Sequence, residues 1–431
     1  MLIRPPELLR RNRNYRLYFT ARSITALTLA IGPTAVPFAV LRVDKSAGAV
    51  ASVVTATNIP VILFVLVGGV LGDRYQRMFM LAVANVVSAL AQIAMAVTLV
   101  THSATLGSFL LLAVVSGLAN AVALPAGGGF VVQIVETGQV ASAQALLTIS
   151  RTSLMVVGAA VGGGLVGLAG PAVTIAVNGV LYLVSIVPLL RITVARSRRV
   201  VYTSLAKALR EGWTEFRSRG WLVGTLAQNL VYVVCMVAAY QIIAPVIAPK
   251  QLGGPAGLGL LLAARALGGL GGALLAARAG PRSPLRVGQI SLLMQIAVLT
   301  TLGMSAPYPL LFAVIALDGA AAEYFQVIML TAVQLRIDMS VLSRITSYTT
   351  LVDYGGIPLS GAAMIPLAHY FPISEVLFLL AGFSGCATVL TLLLTRRHAR
   401  RAGPAGRDSP TAVVAGARTG TNMLMDGGDD G

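Results

Sequence analysis

Residues 68–77 read GGVLGDRYQR. One acid, Asp73, and two arginines, Arg74 and Arg77, stand in this stretch, while the runs beside it, Ala56–Leu71 and Met78–Val100, carry no formal charge. The whole chain follows the flanks rather than the interruption. It is 56% hydrophobic and 11% charged, with a mean hydropathy of +0.83, whereas a soluble domain is roughly half apolar and about a quarter charged. Crossing a bilayer takes about 20 apolar residues as helix. Only helices or closed barrels satisfy the backbone there. The apolar runs are continuous rather than alternating at period two, which excludes a barrel. The chain reads as an all-α integral membrane protein, and GGVLGDRYQR as a turn between two of its crossings.

Twelve transmembrane helices are expected: 17–41, 48–71, 79–101, 105–134, 144–168, 170–190, 221–247, 254–278, 286–305, 308–335, 344–368 and 373–395, numbered spans one to twelve below. The first is too long for a signal peptide, and no small-residue cleavage site follows it.

The formal charge of +17 suggests nucleic acid until its distribution is read. Of the 32 Lys and Arg residues, the outer segments hold only Arg42, Lys45 and Lys250, and Arg22, Arg151 and Arg265 fall inside spans; all others lie on the side of the two termini. That asymmetry is the positive-inside signature and puts both termini in the cytoplasm of a cell inner (plasma) membrane protein. No soluble segment is large enough for a basic DNA-binding face, so nucleic acid is excluded as a partner. Cys235 and Cys386 both fall in spans and give no disulfide framework, and His102, His369 and His398 are too scattered for a metal site. No catalytic motif, metal or cofactor is expected. The glycine cluster LGGLGG (267–272) lacks the spacing of a dinucleotide site.

The chain divides into a tail (1–16), a first six-helix bundle (17–190), a basic connector (191–219), a second bundle (220–395) and a disordered tail (396–431). The connector is amphipathic and suits anionic headgroups. The halves repeat weakly: VVQIVETGQVASAQAL (131–146) aligns with AVQLRIDMSVLSRITS (332–347), and GGVLGDRYQR has a worn counterpart in GALLAARAGPR (272–282), with Ala277 in place of Asp73. Two pseudo-symmetric six-helix bundles around a mid-membrane site are a transporter architecture.

The opening stretch resembles the loop signature of the major facilitator superfamily, G-x-x-x-D-R-x-G-R-R/K. Gly69, Asp73, Arg74 and Arg77 match it, while Gln76 and Met78 depart from it. The stretches NRNYRLYFTARSIT (12–25), GPAVTIAVNGVLYLVS (170–185), EGWTEFRSRGWL (211–222) and LSRITSY (342–348) resemble the drug and siderophore exporter branch, both enterobactin-exporter-like and macrolide-efflux-like. The resemblance implies a cytoplasmic gate in which Asp73 meets the start of span eleven near Ser343 and Arg344, where a helix N-terminus favours an anion by about 0.3–1 kcal/mol. GAAVGG (158–163) is similar to the antiporter motif G-P-x-x-G-G, with Ala159 for proline. With Gly268, Gly269 and Gly272 of span eight, Gly158, Gly162 and Gly163 are expected to pack the two bundles together.

Three acids lie well inside spans: Asp318, Glu323 and Asp353. A charge there costs upward of about 2.5 kcal/mol and usually has a cavity or a partner. Family analogy places span ten beside the central cavity, which favours Asp318 and Glu323 as proton-coupling residues, with Arg265 and Asp353 as partners. Five residues of helix turn Asp318 and Glu323 about 140° apart, so they do not form one carboxylate pair. A buried acid holds its proton and an adjacent arginine releases it, so an acid that alternates between those settings can carry one. Arg22, Thr25, Asn120, Gln133, Gln228, Asn229, Tyr232, Gln241 and Gln326 are the polar cavity candidates. At 6% aromatic residues the chain holds no sign of a stacking cage.

The expected function is that of a monomeric secondary transporter, an antiporter that exports a small amphipathic organic molecule, drug-like or siderophore, in exchange for protons by alternating access. Proton-symport uptake and a transport-inactive sensor are the alternatives. An enzyme is not expected, because no two intramembrane acids share a helical face, and no G-x-x-x-x-G-K-[ST] stretch supports direct ATP coupling.

Overall fold

The structure, a computed structural model, describes residues 5–74, 77–128, 130–136, 139–193, 217, 219–279, 285–337 and 339–401. The side chains of 5–7, 64–74, 77, 124–128, 132–133, 141, 336, 339–344, 346–347 and 394–401 lie outside that description. Everything regular among these residues is helical. The spans are Arg13–Val43, Ala47–Arg74, Arg77–Val100, Leu106–Gly128, the two halves of Val140–Leu190, Gly220–Gln251, Gly254–Ala279, Leu285–Gly303, Tyr308–Arg336, Met339–Tyr370 and Ile373–Arg401.

Local chemistry sets the ends. Asn12 caps span one: its side chain accepts from Tyr15 N at 2.9 Å and donates to Ile134 O at 2.6 Å. Span two starts where Ser46 N donates to Asp44 Oδ1 (2.9 Å) and Ser46 Oγ accepts from Ala49 N (3.1 Å). The stretch Val140–Leu190 breaks at Gly170, whose φ of 84° suits a residue without Cβ. Pro171 follows, lacking an N–H where a first helical turn needs none. Two boundaries differ most from expectation. Span four stops at Gly128 and a separate short turn, Val131–Ile134, follows, because glycines 127–129 interrupt the apolar run. Span twelve continues to Arg401, past the expected 395, so the tail from 396 begins as helix. Most of the connector 191–219 and all of 402–431 lie outside the described residues.

Spans one to six pack on one another, as do spans seven to twelve, and the halves meet chiefly along two seams, span two against span eleven and span five against span eight, with span seven also touching spans one and two. Glycines decide how close these seams are. A Cβ at Gly163 would lie 2.6 Å from the Gly259 Cα and 2.6 Å from Pro255 O. One at Gly361 would meet Thr55 Oγ1 and lie 2.9 Å from Ala51 O. These contacts fall near the ends of the spans remote from the chain termini.

The other glycines expected between the bundles pack within them. Gly158 faces Ala30 and Leu27, and Gly162 faces Thr34 and Ile31, all of span one. Gly268 and Gly272 lie against the Ala316 and Ala320 carbonyls of span ten, and Gly269 approaches Glu323 Cβ at 3.7 Å. Small residues permit close approach without naming the partner helix, and for span eight the partner is span ten. Gly268→Ala should therefore lower the thermal midpoint of the purified protein by an overpacking cost of about 1–3 kcal/mol. The exposed Gly271, whose Cβ would meet nothing within 4 Å, should accept alanine without loss; equal melting of the two variants would contradict this.

Candidate functional site

The seam between spans eight and ten carries the charges. Gly319, which follows Asp318, sits directly against the Arg265 carbonyl, so the two backbones touch where their charged residues emerge. Arg265 Nε donates to Asp318 Oδ2 at 3.0 Å. Asp318 is 1% exposed and the Arg265 side chain 31%; the acid is sealed and the base reaches partly out. Span seven completes the cluster. Tyr232 OH donates to Asp318 Oδ1 and Oδ2 at 3.3 and 3.4 Å, and accepts from Arg265 Nη2 at 2.8 Å. Tyr240 OH donates to Asp318 Oδ2 at 3.1 Å, while the Arg265 guanidinium carbon lies 5.0 Å from the Tyr240 ring centre.

Tyr240 reaches the acid from an irregular segment. Residues 238–243 of span seven (AAYQII) form a π-helical turn, a feature that recurs at functional sites. The turn carries Tyr240 on one residue and Gln241 on the next.

Asp353 makes a separate polar contact. Its Oδ1 accepts from Asn229 Nδ2 at 2.7 Å, and Gln326 lies beside the same carboxyl. Spans seven, ten and eleven therefore meet there, and no arginine pairs with Asp353 among the described residues. Glu323 is exposed on span ten and makes no ion pair among the described residues. Of the four coupling candidates, Arg265 and Asp318 come together, Asp353 stands apart with amides, and Glu323 has no ion-pair partner among the described residues.

The cavity candidates scatter. Asn229, Tyr232 and Gln326 belong to the two acid sites. Gln228 is buried in the second bundle, donating to Gln289 O at 2.9 Å and Thr388 Oγ1 at 3.4 Å, so it braces helices. Thr25 Oγ1 donates to Ala21 O at 3.0 Å within its own helix. Arg22 is half-buried and makes no ion pair among the described residues. Asn120 and Gln241 line a cavity of the first bundle. The Gln133 side chain and those of the gate residues Asp73, Arg74 and Arg77, with Gly69 and Arg344, lie outside the described side chains.

The cluster can hold a charge in the membrane at low cost or release it. The carboxylate has three donors, two neutral and one cationic, and a hydrogen bond to a charged group contributes about 1.5–3 kcal/mol. Tyr232→Phe removes the hydroxyl shared by both charged residues, and should destabilise the purified protein by that amount in thermal unfolding. Tyr240→Phe, which leaves the Arg265–Tyr232–Asp318 triangle complete, should cost less. The reverse order would show that the triangle is not the anchor.

Residues 9–410 match a family described as transmembrane secretion effector. The chain is 25% identical over 403 residues to the enterobactin exporter EntS of Salmonella typhi, and likewise to that of Salmonella typhimurium, covering 92% of this chain and 95% of each relative. Among solved structures, a point mutant of the nucleoside transporter NupG superposes with a TM-score of 0.71 at 12% identity over 88% of this chain and 99% of that one. A bacterial homologue of the iron transporter ferroportin, in an inward-facing state, superposes at 0.68 and 15% identity over 89% and 98%. A bacterial homologue of the lysosomal transporter Spinster, inward-facing and occupied, gives 0.68 at 13% identity over 89% and 96%.

Proposed function

The chain belongs to the transmembrane secretion effector family of the major facilitator superfamily, and from that premise we propose that it is a proton-coupled exporter of small amphipathic organic molecules. The observation that carries the proposal is the buried Asp318, held by Arg265 and two tyrosine hydroxyls in the second bundle. A sealed carboxylate beside a base that reaches partly out can trade its cationic partner for a proton when the bundles move, and then give the proton up when the pair re-forms. The likeness to enterobactin exporters over nearly the whole chain supports export and makes a siderophore a substrate worth testing.

The direction of motion follows from the seams. The close contacts of Gly163 with Gly259 and of Gly361 with Ala51 lie on the side away from the termini. With both termini in the cytoplasm of the inner membrane, as the basic residues indicate, this state is closed to the outside. Export then requires those seams to part, with Asp73, Arg74 and Arg77 as the opposing latch. The carrier works as a monomer, its connector resting on anionic headgroups.

The test is substrate movement in proteoliposomes under an imposed pH gradient, with a panel of fluorescent drugs and a siderophore. Movement against the proton gradient that collapses with an uncoupler is expected. Accumulation only in the same direction as protons would establish uptake by symport instead, and no movement of any compound would favour a sensor with this fold.

A further inference from the structure

A cleft of about 490 Å³ opens at the end of the second bundle remote from the chain termini, where spans seven and nine finish and span twelve begins. Its floor is apolar and buried, formed by Ile247, Leu302 and Leu377. Its rim is polar and exposed: Lys250 in the last turn of span seven, Ser305 just beyond span nine, and Ser374 in the first turn of span twelve. Lys250 singles this cleft out. Cations are depleted on the outer side of a membrane protein, and the outer segments here hold only Arg42, Lys45 and Lys250. One of those three stands at the cleft and makes no ion pair among the described residues. No acid lines the wall among those residues either; Glu375, next to Ser374, is exposed and stands outside it.

The helix ends agree with the lysine. The last carbonyls of span nine are already capped: Met304 N, Ser305 N and Ala306 N donate to Thr300 O, Leu302 O and Thr301 O at 2.9, 3.2 and 3.0 Å. Span twelve instead presents first-turn N–H groups that have no acceptor within the helix, and such an end favours an anion. An ammonium, two hydroxyls and a helix N-terminus above an apolar floor fit a ligand that is anionic at one end and apolar directly behind it. At the edge of a bilayer that ligand is a phospholipid. A soluble anion would use the rim and leave the floor bare, and a headgroup with its own ammonium would find no carboxylate in the described wall.

We infer that this cleft seats an anionic phospholipid from the leaflet away from the termini, with its phosphate at Lys250, Ser305 and Ser374 and the start of its acyl chains on Ile247, Leu302 and Leu377. The inference does not depend on what the carrier moves or in which direction. Ser305 offers a way to separate binding from folding. It stands at a φ of 53°, the left-handed position that glycine usually fills after a helix. Ser305→Gly therefore removes a hydroxyl from the rim while easing the backbone.

The experiment is native mass spectrometry of the purified full chain, delipidated in detergent and titrated with phosphatidylglycerol or phosphatidylcholine, with glycerol phosphate as a soluble competitor. Lipid bound elsewhere, at the basic connector for instance, is common to all variants, so the difference from the parent reports the cleft. Lys250→Gln should weaken phosphatidylglycerol binding about fivefold, the effect of one cation near a lipid surface, and leave phosphatidylcholine binding unchanged. Ser305→Gly should weaken it at least about twofold, the loss of one hydrogen bond, while its melting temperature holds or rises. Lys45→Gln removes another exposed lysine of the same side and should change nothing. Equal weakening by Lys45→Gln would show attraction to the surface at large. Unchanged binding in Lys250→Gln would leave that lysine serving only the dipole of its own helix, and displacement of the lipid by glycerol phosphate would make this a site for soluble anions. Each of these three results overturns the inference.

Discussion

Asp318→Asn should abolish gradient-driven export while Arg265→Gln/Asp318→Asn restores the protein's stability without restoring coupling. The single change leaves the Arg265 guanidinium beside a neutral amide, 3.0 Å from where its counter-charge stood. Breaking a buried pair from one side costs about 3–5 kcal/mol, whereas replacing both partners is often neutral or stabilising. Arg265 is 31% exposed, so the penalty should fall at the low end. Stability and coupling are thereby separated. If the double variant melts like the wild type and still drives uphill transport in proteoliposomes, the pair is structural and the proton moves elsewhere. Asp353, paired with Asn229, would then be the group to test. Glu323→Gln should leave transport intact, because Glu323 has no ion-pair partner among the described residues.

A side chain at Gly163 should shift the carrier toward the state open on the side away from its termini. A Cβ there would lie 2.6 Å from the Gly259 Cα, and neither backbone can yield without parting spans five and eight. Overpacking of about 1–3 kcal/mol moves a two-state equilibrium by roughly 5- to 150-fold. Spin labels on Lys45→Cys and Gln251→Cys, which sit in exposed positions at that end of spans one and seven, should report a longer distance population in Gly163→Val than in the parent. An unchanged distance distribution would place the hinge elsewhere. Gly158→Val is the control, since Gly158 faces Ala30 within its own bundle.

The spans were legible because hydrocarbon leaves the chain no other way to satisfy its backbone, and long apolar runs mark them. The charged residues were legible for the same reason: each of Asp318, Arg265 and Asp353 is too costly in lipid to lie there unpartnered. The pairing was not legible. Whether Arg265 meets Asp318 or Asp353 depends on which helices lie side by side, and LGGLGG permits close packing while leaving the partner open. Tyr240 escaped because a tyrosine in an apolar span reads as packing, and helical periodicity does not mark a π-helical turn. The unpartnered oxygens of Gln92, Ser116 and Asn178 escaped because an uncharged polar residue in a span ordinarily bonds to a neighbouring helix.

The π-helical turn at 238–243 has one more consequence. A helix containing such a turn accommodates an extra residue within nearly the same length, so span seven carries slack where its neighbours are taut. Passing that slack one position along the helix would rotate the residues it crosses by about 100° while the ends of the span stay anchored. Tyr240 would swing away from Asp318 and Gln241 away from the first bundle in the same movement. Span seven would in this sense act as a swivel between the two halves, and removing a single residue from AAYQII should lock it.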